Sequence, residues 1–244
     1  RPRDTTNRAG GVTLRAFSIL GLMMRKSLFP LVIGLGGLAI LFYLAFWQLD
    51  RLEWKQGVLA DIDARLAAEP VPLPAQVDPE TDNYLTVIMQ GAATGEEIRF
   101  LDSGTAAGTG HHIISAFVVE GGRRVMLDQG LLPLYAEEVV PFTGEVTVQG
   151  NLIWPDDISD QAPEGDEWYA RDVAAMAQVL NTEPVLVVLA AASQYDDRLT
   201  PLAVDTRNIK NDHLEYAITW FLLAVVWMSM TIFYVTRSMC AKED

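Results

Sequence analysis

Two runs without a charged residue, Leu28–Leu49 and Tyr216–Val235, stand near opposite ends of the chain. Each has at least twenty residues, and at about 1.5 Å per residue a helix of that length crosses the ~30 Å hydrocarbon core of a bilayer. The pattern predicts two transmembrane helices, 28–49 and 216–235. A third apolar run, Val185–Ala192, is too short to span and reads as a buried strand. With two spans, residues 1–27 and 236–244 lie on one side of the membrane and residues 50–215 on the other.

Past the first span, Leu49, Leu52, Val58, Leu59, Ile62 and Leu66 keep a helical spacing, which predicts a helical extension over 50–69. Four prolines within Pro70–Pro79 then predict an extended linker over 70–83. From Tyr84 the texture changes to short segments rich in β-branched residues, bounded by Gly, Pro or acidic residues: YLTVIMQG, EIRFLDSG, HIISAFVVEGG, RRVMLDQG, VTVQGNLI and PVLVVLA. EGGRRV predicts a tight hairpin between the third and fourth, and Ala170–Leu180 a short helix between the fifth and sixth. The expected fold class is an α+β membrane protein. Two transmembrane helices flank a β-rich domain, a small antiparallel barrel or curled sheet, with one short helix.

Charge orients this plan. The first 27 residues hold six Lys and Arg (Arg1, Arg3, Arg8, Arg15, Arg25, Lys26) against Asp4 alone, and Arg237 and Lys242 follow the second span. Lys and Arg near span ends favour the cytoplasmic side, which puts both termini in the cytoplasm and the central domain outside it. Residues 50–215 carry 10 Lys and Arg against 29 Asp and Glu, a net of −19. This excludes a nucleic-acid surface and allows long-range attraction to a basic partner, although a solvated acidic surface explains the same charge. The single cysteine, Cys240, falls in the cytoplasmic tail, so no internal disulfide forms and no thiol serves the exported domain. The first span is too long for a signal-peptide core.

The chain has no GxSxG, phosphate-cradling glycine loop, HExxH or CxxC, and a non-catalytic protein is expected. The acidic pairs Asp156–Asp157 and Asp196–Asp197 read as solvated loops. His111 and His112, in GTGHHI, read as a polar turn. His213 stands three residues before the second span, where His213, Tyr216 or Ala217, Trp220 and Trp227 fall at helical spacing. A large flat ligand fits such a stripe, with the His213 imidazole as a candidate iron ligand; a helix cap or a headgroup contact explains His213 as well. AFWQLDRLEWK closes the first span and has the same ambiguity. Trp47, Arg51 and Lys55 recur every four residues, either as an aromatic belt and lipid-phosphate anchors or as a grip on the carboxylates of an amphiphile.

FWQLDRLEWK resembles the W-Q-x-x-R-x-x-x-K that closes the first span in the surfeit locus protein 1 family. NDHLEYAITWFLLA resembles that family's N-x-H-x-x-Y-A-x-T-W at the second span. Trp47, Gln48, Arg51 and Lys55 match the first motif. Asn211, His213, Tyr216, Ala217, Thr219 and Trp220 match the second. The resemblance implies a membrane-bound assembly factor for cytochrome c oxidase in a bacterial inner membrane, acting while haem A enters oxidase subunit I, with the β-rich domain in the periplasm. It assigns His213 as candidate axial ligand to haem iron, with Trp220 beside it; the spacing of the other residues then puts Tyr216 and Trp47 around the macrocycle and Arg51 and Lys55 near the propionates. Expected partners are subunit I, haem A synthase and membrane lipid; the charge of the acidic domain, rather than the resemblance, adds a basic cytochrome c.

One segment departs from the pattern. The family's V-N-R-G-W-V-P reads LDQGLLP here, Leu127–Pro133, with Gln129 in place of arginine and Leu131 in place of tryptophan. If those positions touch a client, the departure favours an alternative: a non-catalytic accessory subunit bound to finished oxidase or a respiratory supercomplex. In that alternative Gly34, Gly36 and Gly37 let the spans pack closely.

Overall fold

A computed structural model describes residues 10–105, 107–136, 145–155, 163, 165–194, 196–207 and 209–240, with side chains between residues 28 and 238. In chain order the elements are α1 (Gly10–Leu66), β1 (Val71–Pro72), β2 (Thr86–Thr105), β3 (Gly108–Val119), β4 (Arg124–Pro133), β5 (Glu145–Ile153), β6 (Glu167–Trp168), α2 (Val173–Leu180), β7 (Leu186–Ala192) and α3 (His213–Cys240). They divide into two units, Arg1–Val58 with Lys210–Asp244, and Leu59–Ile209. Asp156–Asp157 and the basic residues Arg1, Arg3, Arg8 and Lys242 lie outside the described residues, as do the side chains of Arg15, Arg25, Lys26 and Cys240.

The first unit is a helix pair. Both helices contain stretches long and apolar enough to cross a membrane, within Leu28–Leu66 and His213–Ser238. The apolar run of α1 is the middle of one 57-residue helix that already begins at Gly10 and continues through Asp50 and Arg51. Small residues line the contact: Ala45, Ala217 and Ala224 are buried. A Cβ built on Gly34 would overlap Thr231, and one on Gly37 would overlap the Trp227 ring. Gly36 has nothing within 4 Å of such a Cβ, so of the three glycines two serve the close approach. Phe42 and Phe46 of α1 set their rings 6.0 and 5.7 Å from that of Phe221, both edge-on.

The second unit is a closed five-stranded barrel in the order β2–β3–β4–β7–β5, with β5 pairing back onto β2. The two segments expected at Tyr84–Gly91 and Glu97–Gly104 are one 20-residue strand, β2, which pairs with β5 through Thr86–Ala92 and with β3 through Gly91–Thr105. A register shift between Ala93 and Glu97, around Gly95 at φ +84°, interrupts its pairing with β3 just past the end of the β5 pairing. Within the barrel one pair, β4 with β7, is parallel. The proline-rich linker is not wholly free: β1 lies within it and pairs with β2 at Val71↔Val87.

Val87, Met89, Phe117, Leu127, Val148, Leu152 and Val187 belong to one buried cluster. The alternate residues of the same strands, Ile98, Phe100, Ile114, Ala116 and Met126, form a second cluster with the buried face of α2 (Val173, Met176, Ala177, Leu180). With both faces covered, β4 is buried almost without interruption, Asp128 and Gln129 included, rather than in alternation. Asp172 caps α2 by accepting from Ala175 N at 3.0 Å, and Asn181 ends it in the left-handed conformation at φ 50°. In the β3–β4 hairpin Gly121 and Gly122 both take positive φ, as the EGGRRV reading requires.

Candidate functional site

The candidate residues divide by their place on the helix pair. α1 turns Gln48 and Lys55, seven residues apart, half inward, while Trp47 and Arg51 stay exposed. α3 opens at His213, half-buried; Ala217 and Trp220 follow on the inward side, and Tyr216 is 55% exposed. The stripe from His213 therefore runs through Ala217, not Tyr216. Trp227, further along it, is occupied in packing: its Nε1 donates to the Gly34 carbonyl at 2.8 Å.

His213 meets α1 directly. Its Nδ1 lies 2.8 Å from Gln48 Oε1, a contact 165 residues apart in sequence. At about 1.5 Å rise per residue, Arg51 stands about 4.5 Å and Lys55 about 10 Å further along α1 than Gln48. The Arg51 guanidinium lies 3.7 Å from the centre of the Trp54 ring, a cation–π contact with an exposed tryptophan that the sequence reading did not anticipate. The described geometry thus joins His213 to Gln48 and Arg51 to Trp54. Among the described residues no group of three or more His, Cys, Asp or Glu is arranged to hold a metal ion. A single imidazole suffices for haem iron, where the macrocycle supplies the other nitrogens.

A second polar constellation lies in the barrel, and here the sequence reading is corrected. His111 and His112 are not a polar turn but part of β3, paired with β2 and β4. His112 is buried, and its Nδ1 lies 2.9 and 3.0 Å from the two carboxylate oxygens of Asp128, itself 0% exposed. Asp102 Oδ2 is 3.7 Å from His112 Nε2, and Gly130 N donates to Asp128 Oδ1 at 2.9 Å. Burial opposes charge on this imidazole, and Arg171 does too. The hydrogen bond and negative charge of Asp128, helped by Asp102, outweigh them and raise the His112 pKa above its ordinary value. Hairpin register held the signal: Asp128 pairs with Ile114, and His112 is two residues from Ile114 on the same face. On the opposite face Gln129 Nε2 donates to Ser115 Oγ at 2.6 Å.

The departing segment is accordingly interior. Leu131 is 0% and Gln129 8% exposed, and Gly130, at φ +114°, brings the backbone so close to Thr200 that a Cβ would overlap its carbonyl. In this chain neither exchanged side chain forms an exposed contact patch. Asp196, in the other acidic pair that was read as a loop, accepts from Arg198 Nε at 2.9 Å, which keeps its pKa below the usual carboxylate value.

Comparison with known proteins connects these observations. The profile of the SURF1 family matches residues 35–225, a range that includes both end motifs. The chain is 26% identical over 212 residues to mouse Surfeit locus protein 1, covering 75% of this chain and 68% of that protein. It is 26% identical over 215 residues to the human protein of the same name, covering 75% and 70%. A SURF1-like protein of Caenorhabditis elegans is 29% identical over 227 residues, covering 78% and 69%.

Proposed function

This chain belongs to the SURF1 family, and from that membership and the surroundings of His213 we propose that it is a non-catalytic assembly factor for cytochrome c oxidase, handling haem A as cargo for subunit I. The observation that carries the reading is His213 itself. It is the one histidine outside the barrel, and it is hydrogen-bonded to α1 about one helical turn before Arg51.

Bound haem A offers an iron that accepts an imidazole nitrogen and two propionates that accept hydrogen bonds from cations. The residues suit those demands. His213 is half-buried and supplies the imidazole. Arg51 supplies a planar donor fork over the Trp54 ring, and Lys55 supplies a second, half-buried cation. Trp220 offers a half-buried ring, and Tyr216 and Trp47 offer exposed aromatic surface that a flat macrocycle reaches without disturbing helix packing. In this reading the two helices cross a bacterial inner membrane with both ends cytoplasmic, as the basic residues outside the spans favour, and the barrel is periplasmic. The accessory-subunit alternative drew its support from Gln129 and Leu131 as lost contacts, and their burial removes that support.

The test is an optical spectrum of the detergent-purified protein from cells making haem A, beside His213→Ala. A haem A band at near-equal stoichiometry that vanishes in the variant supports the reading. No band in either sample, with full haem content in oxidase from cells expressing only the variant, overturns it.

A further inference from the structure

We propose that Gln48 is a positioning residue: its side-chain carbonyl fixes His213 as the Nδ1–H tautomer and so presents Nε2, with its electron pair free, as the ligating atom. The argument rests on donor and acceptor chemistry. An amide oxygen only accepts, and Gln48 Oε1 is the atom 2.8 Å from His213 Nδ1. The shared proton therefore sits on Nδ1. A neutral imidazole carries one proton, so Nε2 is left as a Lewis base. Among the described residues this is the one hydrogen bond that the His213 ring makes.

The contact also fixes the direction of the ring. Gln48 and His213 come from different helices, and both belong to the contact whose small residues, Ala45 and Ala217, are 0% and 1% exposed. Ala45 lies three residues before Gln48 and Ala217 four after His213, so each polar residue is one turn from a close-packed position. Helix packing thereby sets the imidazole orientation. The neighbouring pair works in the same manner: Trp54 holds the Arg51 guanidinium, as Gln48 holds the His213 ring.

A hydrogen bond to the distal nitrogen of a ligating imidazole raises the basicity of the ligating one, and losing such a partner typically costs about 10–100-fold in metal affinity. The inference takes its ligand from the haem reading, but the tautomer itself does not depend on that reading.

The experiment pairs two readouts on the full-length, detergent-purified chain in mildly alkaline buffer, where a free imidazole is neutral. The first is nitrogen NMR of histidine-labelled protein without haem. With three histidines in the chain, subtraction of the His213→Ala spectrum isolates the signals of interest. The expected wild-type spectrum shows a protonated Nδ1 and an unprotonated Nε2, and Gln48→Leu loses that preference. A wild-type ring protonated on Nε2, or a preference unchanged in Gln48→Leu, overturns the proposal. The second readout is titration with ferric haem A. Gln48→Leu is expected to bind about 10–100-fold more weakly. Gln48→Glu, which keeps an acceptor, restores binding and lowers the midpoint potential of the bound haem. Equal affinity and potential in all three proteins overturn the proposal. A fixed tautomer in a wild-type protein that binds no haem A upholds the role of Gln48 and overturns the haem reading.

Discussion

The indole N–H of Trp227 donates to the backbone carbonyl of Gly34 at 2.8 Å, across the contact between α1 and α3. The bond forms because α1 is bare at Gly34 and Gly37, where any Cβ would overlap Thr231 or the indole itself. Apolar burial gives little drive to helix association in lipid, so close approach and an interhelical hydrogen bond are what hold such a pair. Replacing Gly37 with leucine is expected to destabilise the full chain in detergent by about 1–3 kcal/mol through overpacking. Gly36→Ala, which meets nothing within 4 Å, is the control and is expected to leave the unfolding midpoint in place.

A buried charge pair makes the barrel sensitive to alkaline pH. The His112 pKa is raised in the folded protein, mainly by Asp128 against the opposing effect of burial. A raised value means the pair contributes fully below the unfolded imidazole pKa of about 6.5, and that contribution is lost as pH rises through the folded value. Asp128→Ala, which leaves a buried imidazole without its partner, is expected to cost about 1–3 kcal/mol at neutral pH. The double variant His112→Leu/Asp128→Leu is expected to recover much of that loss and to flatten the alkaline decline. Thermal unfolding of the three proteins across the pH range above 6.5 checks both expectations.

The helix pair, the β-rich texture and the short helix were legible because each rests on a local pattern: uncharged runs long enough to span, β-branched runs between glycines, and a helical period over Val173, Met176, Ala177 and Leu180. Closure of the barrel was not. It depends on one long strand, β2, serving β5 and β3 on its two edges and on a parallel β4–β7 pairing, both set by tertiary packing. The sequence placed His213 and Arg51 near one membrane surface but could not supply Gln48 Oε1 or the Trp54 ring as their partners, because helix rotation decides both. His112 was misread because histidine beside glycine resembles a turn, whereas its partner Asp128 lies 16 residues away across a hairpin.

Restoring the family residues in LDQGLLP tests whether that segment is a lost contact or a repacked interior. Leu131 is fully buried and Gln129 donates to Ser115, so the space around them is closed. Leu131→Trp is expected to cost about 1–3 kcal/mol by overpacking, and Gln129→Arg to replace the amide that donates to Ser115 with a longer, charged side chain in a buried position. Both variants are expected to lower the unfolding midpoint while haem A binding in the folded fraction stays unchanged. A gain in binding to oxidase subunit I would instead make the segment a contact surface.

Arg51 separates anchoring from ligand binding. Its guanidinium lies over the Trp54 ring, 3.7 Å from the ring centre. If that fork holds a propionate, Arg51→Lys loses both the two-point geometry and the stacking, and charge retention does not rescue it. The loss expected for one charge-assisted hydrogen bond is about 1.5–3 kcal/mol, or roughly 10–100-fold in affinity for haem A. Trp54→Ala keeps the cation but frees it to rotate, and is expected to cost about 0.5–1 kcal/mol. A lipid anchor responds differently, because a phosphate accepts Lys nearly as well as Arg in a shallow headgroup site. Arg51→Lys would then leave haem A titrations unchanged, and only Arg51→Ala would weaken retention in anionic liposomes. Titrating Arg51→Lys and Trp54→Ala with haem A, beside liposome retention of Arg51→Ala, therefore decides which chemistry the residues closing the first span perform.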